Sequence, residues 1–330
     1  AFNVELVEEI WVADGGTDDN CNGQIEWSER NKDFCTTTIV ITDNNDICGG
    51  SGSILAGEIE TDQADAISHV TVALTSPGHV FPQALTTQEG KYIFPSVPFG
   101  DDYMISPERN DEHRNGVSTL DLVRIQKHLL GKELFTSPYQ YIAADANNTQ
   151  TISAIDLIEI RKLILGIYTE FPSNKSWRFV DKSFVFADAT SPWPFSESIN
   201  MASLHGNEMD KDFVAIKVGD VNNTVQANAL QIVPRNGNGL VHFVADERTV
   251  NAGETVELAI RSGDFATIEG YQFTLQTKGL EFRGVEGGAV EMSDENLGVF
   301  GDMLTASWHK VGGVSATSND VLFTLRFQAT

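Results

Sequence analysis

Five oxygen-bearing residues between positions 145 and 156 stand at the spacing a hard divalent cation needs. Calcium takes roughly 6 to 8 oxygen ligands, and a twelve-residue loop can offer side-chain oxygens at its first, third and fifth places, a carbonyl at the seventh and a carboxylate at the twelfth. Asp145, Asn147 and Thr149 fill the first three, Thr151 gives the carbonyl, and Asp156 stands at the twelfth, where a helix is expected to start. Ile152, at the eighth, is expected to pair its backbone with a sister loop. Two departures lower the expected affinity: Thr149 replaces an acidic residue, and Gln150 sits where glycine eases the turn. A purely structural reading has Asp145 and Asn147 making Asx turns and Asp156 capping the helix. The full spacing, followed by an amphipathic stretch, favours calcium.

An earlier copy of the pattern is less regular. Counting back from Asp121 as the twelfth place puts Asn110 first, Glu112 third, Arg114 fifth and Asn115 sixth, with Gly116 one place late. A cation at the fifth place repels calcium. Two readings stay open: a rearranged set of Asn110, Glu112 and Asp121 holds the ion, or no metal binds and Arg114 neutralises the carboxylates. A third stretch, Asp220-Val-Asn222-Asn-Thr224, also opens like a calcium loop, but its twelfth place is Gln231. It reads as a linker turn.

Helices are needed to hold such loops, and the sequence supplies them twice. Residues 121–131 (Asp-Leu-Val-Arg-Ile-Gln-Lys-His-Leu-Leu-Gly) realign with residues 156–166 (Asp-Leu-Ile-Glu-Ile-Arg-Lys-Leu-Ile-Leu-Gly) at an offset of 156 − 121 = 35 residues. Leu122, Ile125 and Leu129, or Leu157, Ile160 and Ile164, share one helical face, and a glycine closes each copy. Two short antiparallel helices are expected over 109–170. Duplicated loop-helix units with glycine-capped helices and Asp at the twelfth place resemble dockerins. The resemblance implies calcium as cofactor and a protein partner, because dockerins bind cohesins.

On either side the apolar period falls to two. Over 50–108, Gly57-Glu58-Ile59, Val70-Thr-Val-Ala-Leu74, Glu89-Gly90-Lys91-Tyr92-Ile93-Phe94, Val97-Pro98-Phe99-Gly100 and Tyr103 are short strands bounded by glycine and proline. This order is similar to transthyretin-like modules of the carboxypeptidase-regulatory or Cna-B type, which serve as stalks or spacers. Residues 171–225 carry Trp177-Arg-Phe-Val180, Ser191-Pro-Trp-Pro-Phe195 and Phe213-Val-Ala-Ile-Lys-Val218, which suit an extension packed on the helices, followed by a linker. Over 226–330, Val250-Asn-Ala-Gly-Glu254, Glu269-Gly-Tyr-Gln-Phe273, Leu280-Glu-Phe282, Thr305-Ala-Ser-Trp308 and Leu322-Phe-Thr-Leu325 are similar to the strands of cohesin-like sandwiches. Residues 1–49 show strand alternation at 4–12 and 36–41, enough for part of an Ig-like β module. Its open edge could accept a neighbour's strand. The expected fold class is mainly β: tandem β-sandwich modules, Ig-like or transthyretin-like and a cohesin-like jelly roll, joined by a small α dockerin-like helical pair. This module order resembles multi-module surface or adhesin proteins of the type IX-secreted kind.

Composition narrows the function. The chain of 330 residues has 22 Lys and Arg against 47 Asp and Glu, a formal net charge of −25. Nucleic-acid binding needs clustered cations and is not expected. Most of the carboxylates read as a solvated acidic coat, which also attracts divalent cations. Cys21, Cys35 and Cys48 suit one disulfide plus a spare thiol, and so an oxidising compartment. No apolar run is long enough for a membrane span. Residues 1–10 lack signal-peptide character, which suggests a processed or partial chain. The seven histidines are scattered, and no H-E-x-x-H, G-x-S-x-G or P-loop occurs. The expectation is a non-catalytic, extracellular or cell-surface protein, structural or adhesive, with a calcium-stabilised junction. Its expected partners are protein modules of the same or another chain, including its own copies. The alternative is a dockerin–cohesin type assembly module that builds a filament or complex; a carbohydrate-active enzyme ranks below both.

Overall fold

A computed structural model describes residues 10–13, 32–35, 52–226 and 240–330, and the chain divides into two compact units, Ala1–Ser51 and Gly52–Thr330. In the first unit, β1 (Ile10–Ala13) and β2 (Lys32–Cys35) pair antiparallel, with Ile10 opposite Cys35 and Ala13 opposite Lys32. The strand expected at 36–41, Cys21 and Cys48 lie outside the described residues.

The second unit begins with β3 (Gly52–Glu60), β4 (Thr71–Ser76), β5 (His79–Val80), β6 (Ala84–Leu85), β7 (Lys91–Pro98) and β8 (Tyr103–Glu108). The helices α1 (Thr119–Leu129), α2 (Pro138–Ala144) and α3 (Ala154–Leu165) follow, then β9 (Trp177–Asp181), β10 (Ile199–Met201) and β11 (Phe213–Lys217). One sheet runs β7-β3-β11-β9; the other runs β10-β8-β4-β5, with β6 also on β4. The stretch 171–225 therefore does more than pack on the helices, since its strands extend both sheets. Strand β11 lies parallel to β3, with Phe213 opposite Ile59, and antiparallel to β9.

The sequence of β11, Phe-Val-Ala-Ile-Lys, is nearly all apolar because both of its faces are covered. Phe213 and Ala215, with Trp177 and Phe179 of β9, enter the sandwich core beside Leu55, Ile59, Val72, Phe94 and Ile105. Val214, Ile216 and Val180 point the other way, into a second core with Leu122, Ile125, Ile142, Leu157, Ile160 and Leu163. Strands β9 and β11 are thus a shared layer between sandwich and helices.

Each helix starts at a serine cap: Ser118, Ser137 and Ser153. Asp121 and Asp156 reach back to Ser118 N and Ser153 N at 2.8 Å, closing two of the orphan donors at the helix starts. Helix α3 ends at Gly166 with φ +81°, a left-handed cap that glycine adopts freely. The short α2, opened by Pro138 at its first turn, is a third helix where the repeat indicates two.

The last part holds β12 (Thr255–Ile260), β13 (Ile268–Gln276), β14 (Leu280–Gly287), β15 (Leu297–Phe300), β16 (Met303–Val314) and β17 (Phe323–Ala329). They form two three-stranded sheets, β12-β17-β14 and β13-β16-β15. Phe323, Leu325 and Phe327 alternate inward from β17, and Tyr271 stacks on Trp308 with ring centroids 5.3 Å apart. Together these elements make a mainly β protein with one small helical module. Among the described residues no helix is long and apolar enough to cross a membrane.

Candidate metal centre and helix-docking face

The loop 145–156 joins α2 to α3, and its oxygens converge. Asp145 is buried, and its Oδ1 accepts from Thr149 N at 2.9 Å while its Oδ2 accepts from Gln150 N at 2.8 Å. The Thr149 hydroxyl lies 2.7 Å from Asn147 Oδ1 and 3.4 Å from the Thr151 carbonyl oxygen. Asp156 is buried at the start of α3, with Oδ1 accepting from Asn147 N at 3.2 Å. Asn148 and Gln150 take positive φ, 58° and 64°, which folds the loop tightly without glycine. Burial raises the Asp145 carboxyl above the usual carboxylate range, and the charge on Asp156 adds to the rise. Buried carboxylates beside amide, hydroxyl and carbonyl oxygens are the donor types a calcium ion takes. All five residues of the expected set are brought together.

The earlier set is not gathered in the same way. Asn110 donates to Glu170 at 3.2 Å and accepts from Ser176 N at 2.8 Å. Glu112 is held by Arg109 at 3.1 Å and by Asn115 at 3.0 Å. Arg109, not Arg114, makes the ion pairs with Asp111 and Glu112, and its guanidinium lies 5.0 Å above the Trp177 ring. Asp121 bonds to neither Asn110 nor Glu112: its Oδ1 accepts from Val221 N at 2.9 Å and its Oδ2 from Ser118. Among the described residues no three His, Cys, Asp or Glu side chains gather at one point. Any cation here would depend on Asn, Thr and carbonyl oxygens besides a carboxylate pair.

Helices α1 and α3 seat on the outer face of the β13-β16-β15 sheet. Thr119 N and Oγ1 donate to Gln272 Oε1 at 2.9 and 3.1 Å, and Thr119 Oγ1 lies 2.8 Å from Ser307 Oγ. Lys127 pairs with Glu269 at 2.8 Å. Thr305 Oγ1 donates to the Leu165 carbonyl at 2.7 Å, taking up a carbonyl that the end of α3 leaves free. Arg161 reaches His309 Nδ1 at 3.3 Å. Two glycines let the surfaces meet: a Cβ on Gly270 would stand 3.0 Å from Thr119 Cγ2, and one on Gly298 would stand 2.9 Å from the Leu165 carbonyl oxygen. None of these contacts was derived from the sequence. The one available signal was a glycine inside the strand pattern at 269–273, which marks close approach by another backbone or side chain.

The first sandwich carries a groove of about 490 Å³ lined by Thr75, Asp102, Tyr103, Met104, Asn200 and Met201 among others. Its carboxylate, Asp102, accepts from Ser203 N at 2.8 Å.

Neither a protein-family model nor a curated protein matches the chain. Among solved structures it is similar to a non-cellulosomal cohesin from the hyperthermophilic archaeon Archaeoglobus fulgidus, at 16% identity over 28% of this chain and 67% of that one, with a TM-score of 0.24. It is also similar to the major pilin subunit of Bacillus cereus, at 9% identity over 84% of this chain and 59% of that one, with a TM-score of 0.23. Both likenesses are remote, and the functional argument rests on the chain's own geometry: β sandwiches, with a helical module seated on one of them.

Proposed function

We propose that this chain is a non-catalytic structural or adhesive protein of the bacterial cell surface, in which calcium in the loop 145–156 fixes the helical module that joins two β sandwiches. Export by the type IX route belongs to the same reading, through the order of its modules. The observation that carries the reading is the docking of α1 and α3 on the β13-β16-β15 sheet of the same chain. A dockerin-like face already seated on the chain's own cohesin-like sandwich makes a fixed joint, not a surface waiting for another protein. The acidic balance of the chain and its mainly β modules suit an extracellular, calcium-rich setting. Calcium would act by bringing Asp145 and Asp156 together without repulsion, so that α3 starts in register with its serine cap.

Thermal unfolding with calcium and with chelator tests the calcium claim. At free calcium about a hundredfold above Kd the ion adds about 2.7 kcal/mol. Calcium should raise Tm in the natural chain, and Asn147→Ala should reduce the rise. An unchanged Tm with and without calcium contradicts it. Light scattering separates the joint from the assembly module, since only the latter forms calcium-dependent oligomers.

A further inference from the structure

The stretch 220–224, a linker turn by sequence, folds as a duplicate of the loop 145–149, but against the other helix. Asp220 Oδ1 accepts from Thr224 N at 3.1 Å and Oδ2 from Val225 N at 2.7 Å. The corresponding bonds of Asp145 run to Thr149 N and Gln150 N, at the same offsets of four and five residues. Asn223 repeats the positive φ of Asn148, 55° against 58°. The Thr224 hydroxyl donates to the Gly116 carbonyl at 3.0 Å, as Thr149 reaches the Thr151 carbonyl at 3.4 Å. Gly116 stands five residues before Asp121, and Thr151 five before Asp156. Asp121 completes the match: its Oδ2 is capped by Ser118 N, and its Oδ1 receives a loop amide, here Val221 N.

We infer that Asp220, Asn222 and Thr224, the Gly116 carbonyl and Asp121 form a second calcium-class site whose loop is split, its first half arriving about a hundred residues after its second. An observation independent of the loop's shape points to a ligand: both polar atoms of the Asn222 side chain are buried and have no hydrogen-bond partner. Asn222 holds the third place, the one Asn147 holds in the contiguous loop. A buried amide without partners is costly, and donation of an oxygen lone pair to a cation removes part of that cost. The carboxylates tell the same story. Asp121 and Asp220 are almost wholly buried, 0% and 2% exposed, and repel one another. Lys217 is the cationic side chain beside Asp220, but its ammonium donates to the His113 carbonyl at 2.9 Å. Gly116 fits the same purpose, since a Cβ there would stand 2.4 Å from Asp220 Oδ2.

This site is independent of the loop 145–156, so the two claims can fail separately. Calcium chloride titrated into the full chain by calorimetry should show two sites, and Asn222→Ala should weaken one by about tenfold or more. Asn222→Ala removes no hydrogen bond seen in the fold, so far-UV circular dichroism should be unchanged; Asp220→Asn is the second variant and should weaken the same site. One site, lost in Asn147→Ala and untouched by Asn222→Ala, overturns the split site and leaves the contiguous one standing. One site with the opposite response supports the split site and overturns the contiguous one. No binding overturns both.

Discussion

Asp121 and Asp156 occupy the same place in two repeats, yet their loops are closed differently. Asp156 meets residues from its own loop, whereas Asp121 meets a segment that follows β11. The contiguous set was legible because all five positions lie within one twelve-residue window. The split set was not, because sequence spacing carries no information on a partner about a hundred residues away. Gly116 marks the place where the two segments cross. Its φ of +81° and its contact with Asp220 both require glycine, so Gly116→Ala should lower stability by at least about 1–2 kcal/mol from the backbone alone, measured by urea unfolding. His309 gives a pH prediction. Burial and the adjacent Arg161 guanidinium, itself near Glu295, pull its pKa from 6.5 down to about 4. The unfolded chain takes up that proton as pH falls through 6.5, while the folded chain resists until about 4. The stability due to neutral His309 is therefore complete above 6.5 and is lost as pH falls towards 4. His309→Gln should flatten that part of the stability curve. An equally steep curve in the variant would contradict the assignment.

Among the elements, β11 was the clearest case of a pattern with a physical reason that needed the structure. An unbroken apolar run signals burial on both faces, but only the fold shows one face in the sandwich and the other in the core of the helical module, beside α2. Phe213 lies fully buried in that layer, and Phe213→Ala should cost about 3–5 kcal/mol, read from denaturant midpoints of the full chain. The long helices were legible from their 35-residue repeat. Helix α2 was not, because seven residues hold too few turns for a period to stand out. The docking face was likewise hidden, since Thr119, Gln272, Thr305 and Ser307 are ordinary surface residue types that become an interface only when two modules meet. Gly270→Val should push Thr119 and Val123 away and loosen the seat. Calorimetry should then show the last sandwich unfolding apart from the rest, where the natural chain unfolds the two together.

At the scale of the whole second unit, the helical module is held from two sides: by β9 and β11, which it shares with the first sandwich, and by the β13-β16-β15 sheet of the last one. Under the proposed function, a module held in this way would transmit force and orientation between its neighbours, as a stalk or surface fibre does. In the proposed reading, calcium would fix the loops at the helix starts. The most direct test is a specific protease site placed within 227–239, between the helical module and the last sandwich, followed by gel filtration of the cut protein in calcium. The two pieces should elute together, and Gly270→Val or a calcium chelator should separate them. Pieces that separate in calcium without any substitution would contradict the fixed joint.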